Sequence, residues 1–351
     1  MFRIEEFEDF KLFVPSEQAK KYANKKTLES KKSNQKYLMN NPPSAPAKRI
    51  SGSFIYAHPP DYEGCPTIDW TVNDWIKLLK EMKVAGIDTV IFHASVWEEL
   101  GEAYYASDYF RNFYKIFPVV ENMLNAAQKT KLHVYLGGYG STVGWSKCLD
   151  RKTVGDQVNK QLRCMKELLT YSDLFDGIYF SPETAVSLDR NIQKEKFLNE
   201  LYRRYFDELK SLSSKHKIMM SPATMHGDSN SEIIIDGWRS VLNKVPLDIM
   251  APQDSIGCAV CTLDVQSAAW KTWKDICKNL DIKLWANIEL FERHNFECVA
   301  PFTTAPAERI MAQINNVADW VEKIICWEYA YFTQIETKAA SDLQKQIFLK
   351  E

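Results

Sequence analysis

The sequence predicts an α/β fold of the (β/α)₈ class, a TIM barrel preceded by an N-terminal extension. Three observations carry this. From Arg49 onward, short β-rich runs alternate with longer amphipathic runs, the pattern of βα units around a parallel sheet. Eight such β-rich runs occur, the number that closes this barrel. No GxGxxG follows the first run, which removes the main ground for an open dinucleotide-binding sheet. The 351 residues suffice for one barrel, typically about 250 residues, with additions.

Residues 1–48 read as an extension or linker. Lys20 to Lys36 is rich in Lys, Asn and Ser, and Asn40 to Pro46 reads NNPPSAP, with room for a short helix near the start. The alternative for this segment is a strap across the barrel's base. The barrel itself spans 49–335, and 336–351 forms a C-terminal helix or tail. Its strands are expected at Ser51–Ala57, Thr89–Ser95, Leu132–Gly138, Gly177–Ser181, Lys217–Ser221, Asp248–Pro252, Lys283–Leu290 and Ile324–Tyr329. Helices are expected at Val72–Val84, Phe117–Thr130, Val154–Tyr171, Gln193–Ser214, Gln266–Asn279 and Pro306–Val317. A weaker helix, SEIIIDGWRSVLNKV, follows strand five.

Apolar residues make up 45% of the chain and charged residues 26%, as in ordinary globular proteins. A formal net charge of −2 gives no reason to expect nucleic acid or an acidic membrane as partner. The N-terminus MFRIEEFEDF has no long apolar run, so neither a secretory signal nor a membrane span is expected. Eight scattered cysteines suit reduced thiols and a cytoplasmic location. The 10 Trp, 16 Tyr and 18 Phe serve in part to fill a barrel core, and a surplus of Trp and Tyr at loop ends would also suit sugar rings, whose C–H faces stack on aromatic planes; composition does not separate these uses. Oligomeric state is left open.

Barrel enzymes place their chemistry at the C-terminal ends of the strands. Strand seven, KLWANIELFE, alternates between an apolar face of Leu284, Ala286, Ile288 and Leu290 and an inner face of Trp285, Asn287 and Glu289. On strand four, Gly177, Tyr179, Ser181 and Glu183 share the inner face. Glu183 and Glu289 therefore reach the mouth from two strands, and unpaired carboxylates are expensive to keep there without a task. Other strand ends supply candidate sugar-binding groups: His58, His93, Trp97, Tyr139, Trp145, Tyr179, His226, Gln253, Asn287 and Trp327. Asp254 and Glu328 join them, with their facing undecided because the alternation on strands six and eight is ambiguous; they are also substitutes should Glu183 face elsewhere.

A glutamate acid/base after strand four and a glutamate nucleophile after strand seven resemble the clan of retaining (β/α)₈ glycosidases. An aromatic residue near the end of strand eight commonly lines the sugar site there, and Trp327 matches it. Pro182 stands where that clan usually has Asn. The segments SGSFIYA, DWTVNDWIKLLKEMKVAGIDTVIF, MAPQDSIG and WANIELFE are similar to a poorly characterised family of glycoside-hydrolase-like barrels of gut bacteria, over roughly residues 50 to 335. The resemblance implies a glycoside hydrolase acting on small glycosides or oligosaccharides. Glu183 would be the acid/base and Glu289 the nucleophile, with no metal or cofactor.

Two alternatives belong to other classes. His58, His93 and Glu98 could ligate a metal, as in a sugar isomerase or amide hydrolase, although no HxH pattern occurs. A non-catalytic sugar-binding barrel is the other. Cys258 and Cys261 form a CxxC without the second pair that a structural zinc site needs, so a metal or redox role is set aside.

Overall fold

A computed structural model describes residues 17–57, 68–115, 118–141, 151–182, 186, 190–224, 231–293, 302–334 and 337–349. Eight parallel strands close a barrel: β1 (Ile50–Ile55), β2 (Thr89–Phe92), β3 (His133–Gly137), β4 (Gly177–Phe180), β5 (Lys217–Met220), β6 (Ile249–Met250), β7 (Lys283–Glu289) and β8 (Lys323–Trp327). Each pairs with its sequence neighbour, and β8 closes on β1. All eight coincide with expected runs to within a few residues. The class predicted from the sequence is the class observed.

The alternation of each strand divides the core in two. Phe54, Tyr56, Ile91, Tyr135, Tyr179, Met219, Ile249, Ala251, Trp285 and Ile325 fill the barrel interior. Their sequence neighbours pack outward on the helices. Gly177 is required by this filling, because a Cβ there would meet the Tyr135 ring at 2.3 Å.

Helices between the strands follow the apolar periodicity. Val72–Val84 begins with a capping box: the Thr71 hydroxyl accepts from Asp74 N–H, and Asp74 accepts from Thr71 N–H. Its Trp75, Leu78, Leu79 and Met82 are buried. The weaker candidate after β5 is a helix over Ser231–Leu242. No helix among the described residues is long and apolar enough to cross a membrane.

Loops after β2, β3 and β7 carry short strands of their own. Val96–Trp97 pairs with Glu102–Ala103 on one side and Tyr139–Gly140 on the other. Phe291–Arg293 forms a hairpin with Phe302–Thr304. Both additions sit on the C-terminal side of the barrel.

The helix in the extension is longer than the short one expected near its start: Glu17–Asn40 is a helix of 24 residues. It lies along the outer helices Leu263–Leu280 and Ala307–Val317 rather than across the base. Asn34 Oδ1 accepts from Leu263 N–H at 2.9 Å, capping that helix from outside, and Tyr37 donates to Asn316 Oδ1 at 2.9 Å. Further on, Lys48 Nζ donates to the carbonyls of Ala318 and Val321, just before β8.

Candidate active site

Strand β7 keeps its alternation to the end. Trp285 sits in the barrel interior, and Asn287 Nδ2 donates to Ser221 Oγ at 3.1 Å across the strand ends. Glu289 is the last residue of the strand and is 3% exposed. Its Oε2 accepts from the Cys258 N–H at 2.9 Å. The turn that presents this N–H must pass very close: a Cβ on Gly257 would lie 2.4 Å from the Phe291 carbonyl and 3.0 Å from Glu289 Oε2. Burial holds the Glu289 carboxyl above the usual carboxylate range, while the Cys258 N–H and the nearby Arg309 and Arg293 pull it down.

The CxxC thus enters the site through a backbone group. Neither thiol is in a disulfide, Cys261 is buried and Cys258 half-buried, and burial raises both above the ordinary thiol value.

Beside Glu289 lies an aromatic floor. Tyr56 and His93 stack with ring centroids 4.7 Å apart, and Tyr179 meets Phe54 edge-on at 5.1 Å. Burial pushes the His93 imidazole down to about 3, so it is neutral. Trp97 leans on His93 at 5.6 Å from its short strand above β2. Trp327, half-buried, donates from Nε1 to the Tyr56 hydroxyl and packs against Phe291, Phe302 and Phe332; the peptide after it, Trp327–Glu328, is cis. Gln253 follows the inward alternation of Ile249 and Ala251, and its Nε2 donates to the Ser221 carbonyl at 3.1 Å.

His93, Trp97, Tyr179, Gln253, Asn287, Glu289 and Trp327 thus gather around the C-terminal end of the barrel. Three candidates face elsewhere. Asp254 lies one residue past the inward Gln253 and points to the helix side, where it accepts from Gln313 and, at 3.4 Å, from Gln266. Burial and the charge of Glu289 raise its carboxyl. Glu328 likewise follows the inward Trp327, turns outward, and accepts from Tyr331 N–H at 3.2 Å; burial pushes it up to about 8. Tyr139 follows the Gly137–Gly138 break that ends β3 and stacks on Phe110 in the outer layer at 5.3 Å. For all three the physical reason is that strands end or bend at the rim, so one residue changes the face. Glu183, His58, Trp145 and His226 lie outside the described residues; β4's inner face is followed as far as Ser181, whose Oγ donates to the His93 carbonyl at 3.0 Å.

Several contributors were not singled out from the sequence. Tyr56 and Ser221 sit at strand ends already recognised as polar. Arg309 and Gln313 lie on the buried face of Ala307–Val317 beside Ile310, Ile314 and Val317. Two long polar side chains spaced i, i+4 inside an apolar stripe were the available signal.

A family model described as a domain of unknown function, DUF4434, matches residues 50–339. The sequence matches none of the curated proteins compared with it. Among solved structures, the chain is similar to a candidate α-L-fucosidase from Bacteroides thetaiotaomicron VPI-5482, with 17% identity, a TM-score of 0.69, and 88% of this chain and 96% of that chain covered. It is also similar to a β-galactosidase from the psychrophilic Marinomonas ef1, with 11% identity, a TM-score of 0.52, and 84% and 58% covered. An endo-β-1,4-mannanase from Thermotoga petrophila matches with 11% identity, a TM-score of 0.50, and 80% and 67% covered. These likenesses show the fold, a glycoside-hydrolase-like (β/α)₈ barrel.

Proposed function

The chain belongs to the DUF4434 family, and from its glycoside-hydrolase-like barrel we propose that it hydrolyses glycosidic bonds in small glycosides or oligosaccharides. The observation that carries this is Glu289: a buried carboxyl on the inner face at the tip of β7, aimed by the Cys258 N–H, beside the Tyr56–His93–Trp327 floor. Cleavage needs a carboxylic acid on the leaving oxygen and a carboxylate across the anomeric carbon. Glu183 is the proposed acid/base and Glu289 the nucleophile, with retention of configuration at a separation of about 5–5.5 Å. Trp327 and Tyr56 would offer ring faces to the sugar, and Asn287 and Gln253 hydrogen bonds to its hydroxyls.

One observation favours a second assignment within the same reaction. Burial raises Glu289, and a raised carboxyl is what a general acid needs. A mechanism-based 2-fluoro glycoside labels whichever glutamate is the nucleophile, and peptide mapping of the adduct decides between the two roles.

The test of the activity is a panel of chromogenic glycosides and oligosaccharides run on the native chain, Glu183→Gln and Glu289→Gln. Each variant should lose about 10²–10⁴-fold in kcat on any substrate the native chain cleaves. Undiminished turnover by Glu289→Gln on every such substrate refutes the reading. Sugar binding without turnover by the native chain points instead to a binding barrel.

A further inference from the structure

Glu289 is held by its main chain as well as its carboxyl, and the groups that do so lie behind the barrel wall. Asp254 Oδ1 accepts from Glu289 N–H at 3.3 Å. Asp254 N–H donates to the Asn287 carbonyl at 2.9 Å, so two successive inner-face residues of β7 are tied to one aspartate. Arg309 Nη2 donates to the Glu289 carbonyl at 3.3 Å and to the Phe291 carbonyl at 2.5 Å. The peptides on both sides of Glu289 are thereby gripped from the helix side.

This cluster is poorly explained as a device for stability. Asp254 and Arg309 are 1% and 2% exposed, and apolar side chains of similar volume commonly replace such buried charges without loss. Among the described residues, Arg309 Nη1 has no hydrogen-bond partner, and Nε has only an approach of 3.8 Å to Glu292. What the charges do satisfy is the backbone around Glu289. Gln313 and Gln266, both buried, hold Asp254 in turn, and the burial of all four leaves little freedom to relax.

Resting on the glycosidase reading, we propose that Asp254 and Arg309 are positioning residues for Glu289, fixing the direction of its carboxyl from outside the sugar site. They do not touch substrate. Among the described residues, the charged and titratable groups facing Glu289 are Asp254, the Cys258 and Cys261 thiols, Arg293 and Arg309, with Glu292 paired to Arg309 beyond them. Asp254 is the member linked to Glu289 from the rear: the Glu289 charge raises the Asp254 carboxyl, and the main-chain bond ties the two together.

The experiment uses the full chain with ¹³C-labelled aspartate and glutamate, with Asp254 assigned by loss of its signal in Asp254→Asn. Asp254→Asn keeps the volume and an acceptor for the Glu289 N–H but removes the charge; Asp254→Ala removes both. In Glu289→Gln the Asp254 midpoint should move to lower pH, because the neighbouring negative charge that raises it is gone. On a cleaved glycoside, Asp254→Ala and Arg309→Lys should lose at least tenfold in kcat with KM changed less than threefold. A native Asp254 midpoint in Glu289→Gln overturns the proposal, and so does native kcat in a folded Asp254→Ala. If Asp254→Ala does not fold, Arg309→Lys decides through the split between kcat and KM, beside the Asp254 midpoint. The glycosidase reading fails separately, as a native chain that cleaves nothing. The titration still decides in that case: a lowered Asp254 midpoint in Glu289→Gln supports the link between the two groups, and an unmoved one refutes it.

Discussion

Replacing Glu328 with Gln should stabilise the protein, and by an amount that grows with pH. Glu328 is 3% exposed behind β8, and burial moves its carboxyl from the ordinary 4.5 to about 8. A group with a raised folded value contributes its full stabilising effect below 4.5 and loses it as pH rises towards 8, because the unfolded chain ionises first. At about 1.4 kcal/mol per pH unit, roughly 3 kcal/mol is lost between pH 4.5 and 7. Glutamine keeps an oxygen for the Tyr331 N–H and has no proton to lose. Urea unfolding of native chain and Glu328→Gln at pH 5, 6, 7 and 8 reads the difference directly. The two curves should nearly coincide at pH 5 and separate by about 3 kcal/mol at pH 7. A constant offset, or a variant weaker at pH 8, refutes the reasoning.

His93 should act in the opposite sense. Its folded value is depressed to about 3, so stability falls as pH drops from 6.5 towards 3, by about 1.4 kcal/mol per unit; a His93→Gln variant should flatten that acid limb in urea titrations. Asn34→Ala removes the outside cap on Leu263 and should weaken the protein by about 1–2 kcal/mol, read from the urea midpoint. In Gly257→Ala the new methyl meets a main-chain oxygen that cannot swing aside, and a loss of about 1–3 kcal/mol, with reduced turnover of any cleaved glycoside, is expected. Tyr56→Phe removes the acceptor for Trp327 Nε1, and its Trp fluorescence maximum should differ from the native chain's; identical spectra argue against that bond.

What the sequence made legible tracks what burial encodes as a period. The Val72–Val84 helix carries both its stripe and its cap in adjacent letters, and its bounds are as expected. Seven residues of β7 alternate without interruption, so the facing of Glu289 could be read directly. Strand β6 is only two residues long, too short for its alternation to orient Asp254 a few residues later. The full length of the Glu17–Asn40 helix escaped for a different reason. Its docking face carries Thr27, Ser30 and Asn34, all buried, where a search for apolar spacing finds nothing. The hold on Glu289 by Cys258, Asp254 and Arg309 joins segments far apart in sequence, and no local pattern announces it.

The polar docking face of that first helix bears on how the chain comes to be folded. Its bonds to Cys261 and Asn316 span 231 and 279 residues. During synthesis at about 5–20 residues per second, the helix waits on the order of ten seconds or more for the segments it will rest on. An element with a leucine stripe would spend that interval as a sticky surface, open to wrong partners. A face of threonine, serine and asparagine is harmless in water and becomes specific only when the Leu263 N–H and its neighbours are in place. Docking of this helix is therefore expected late, as a seal over the final quarter of the barrel.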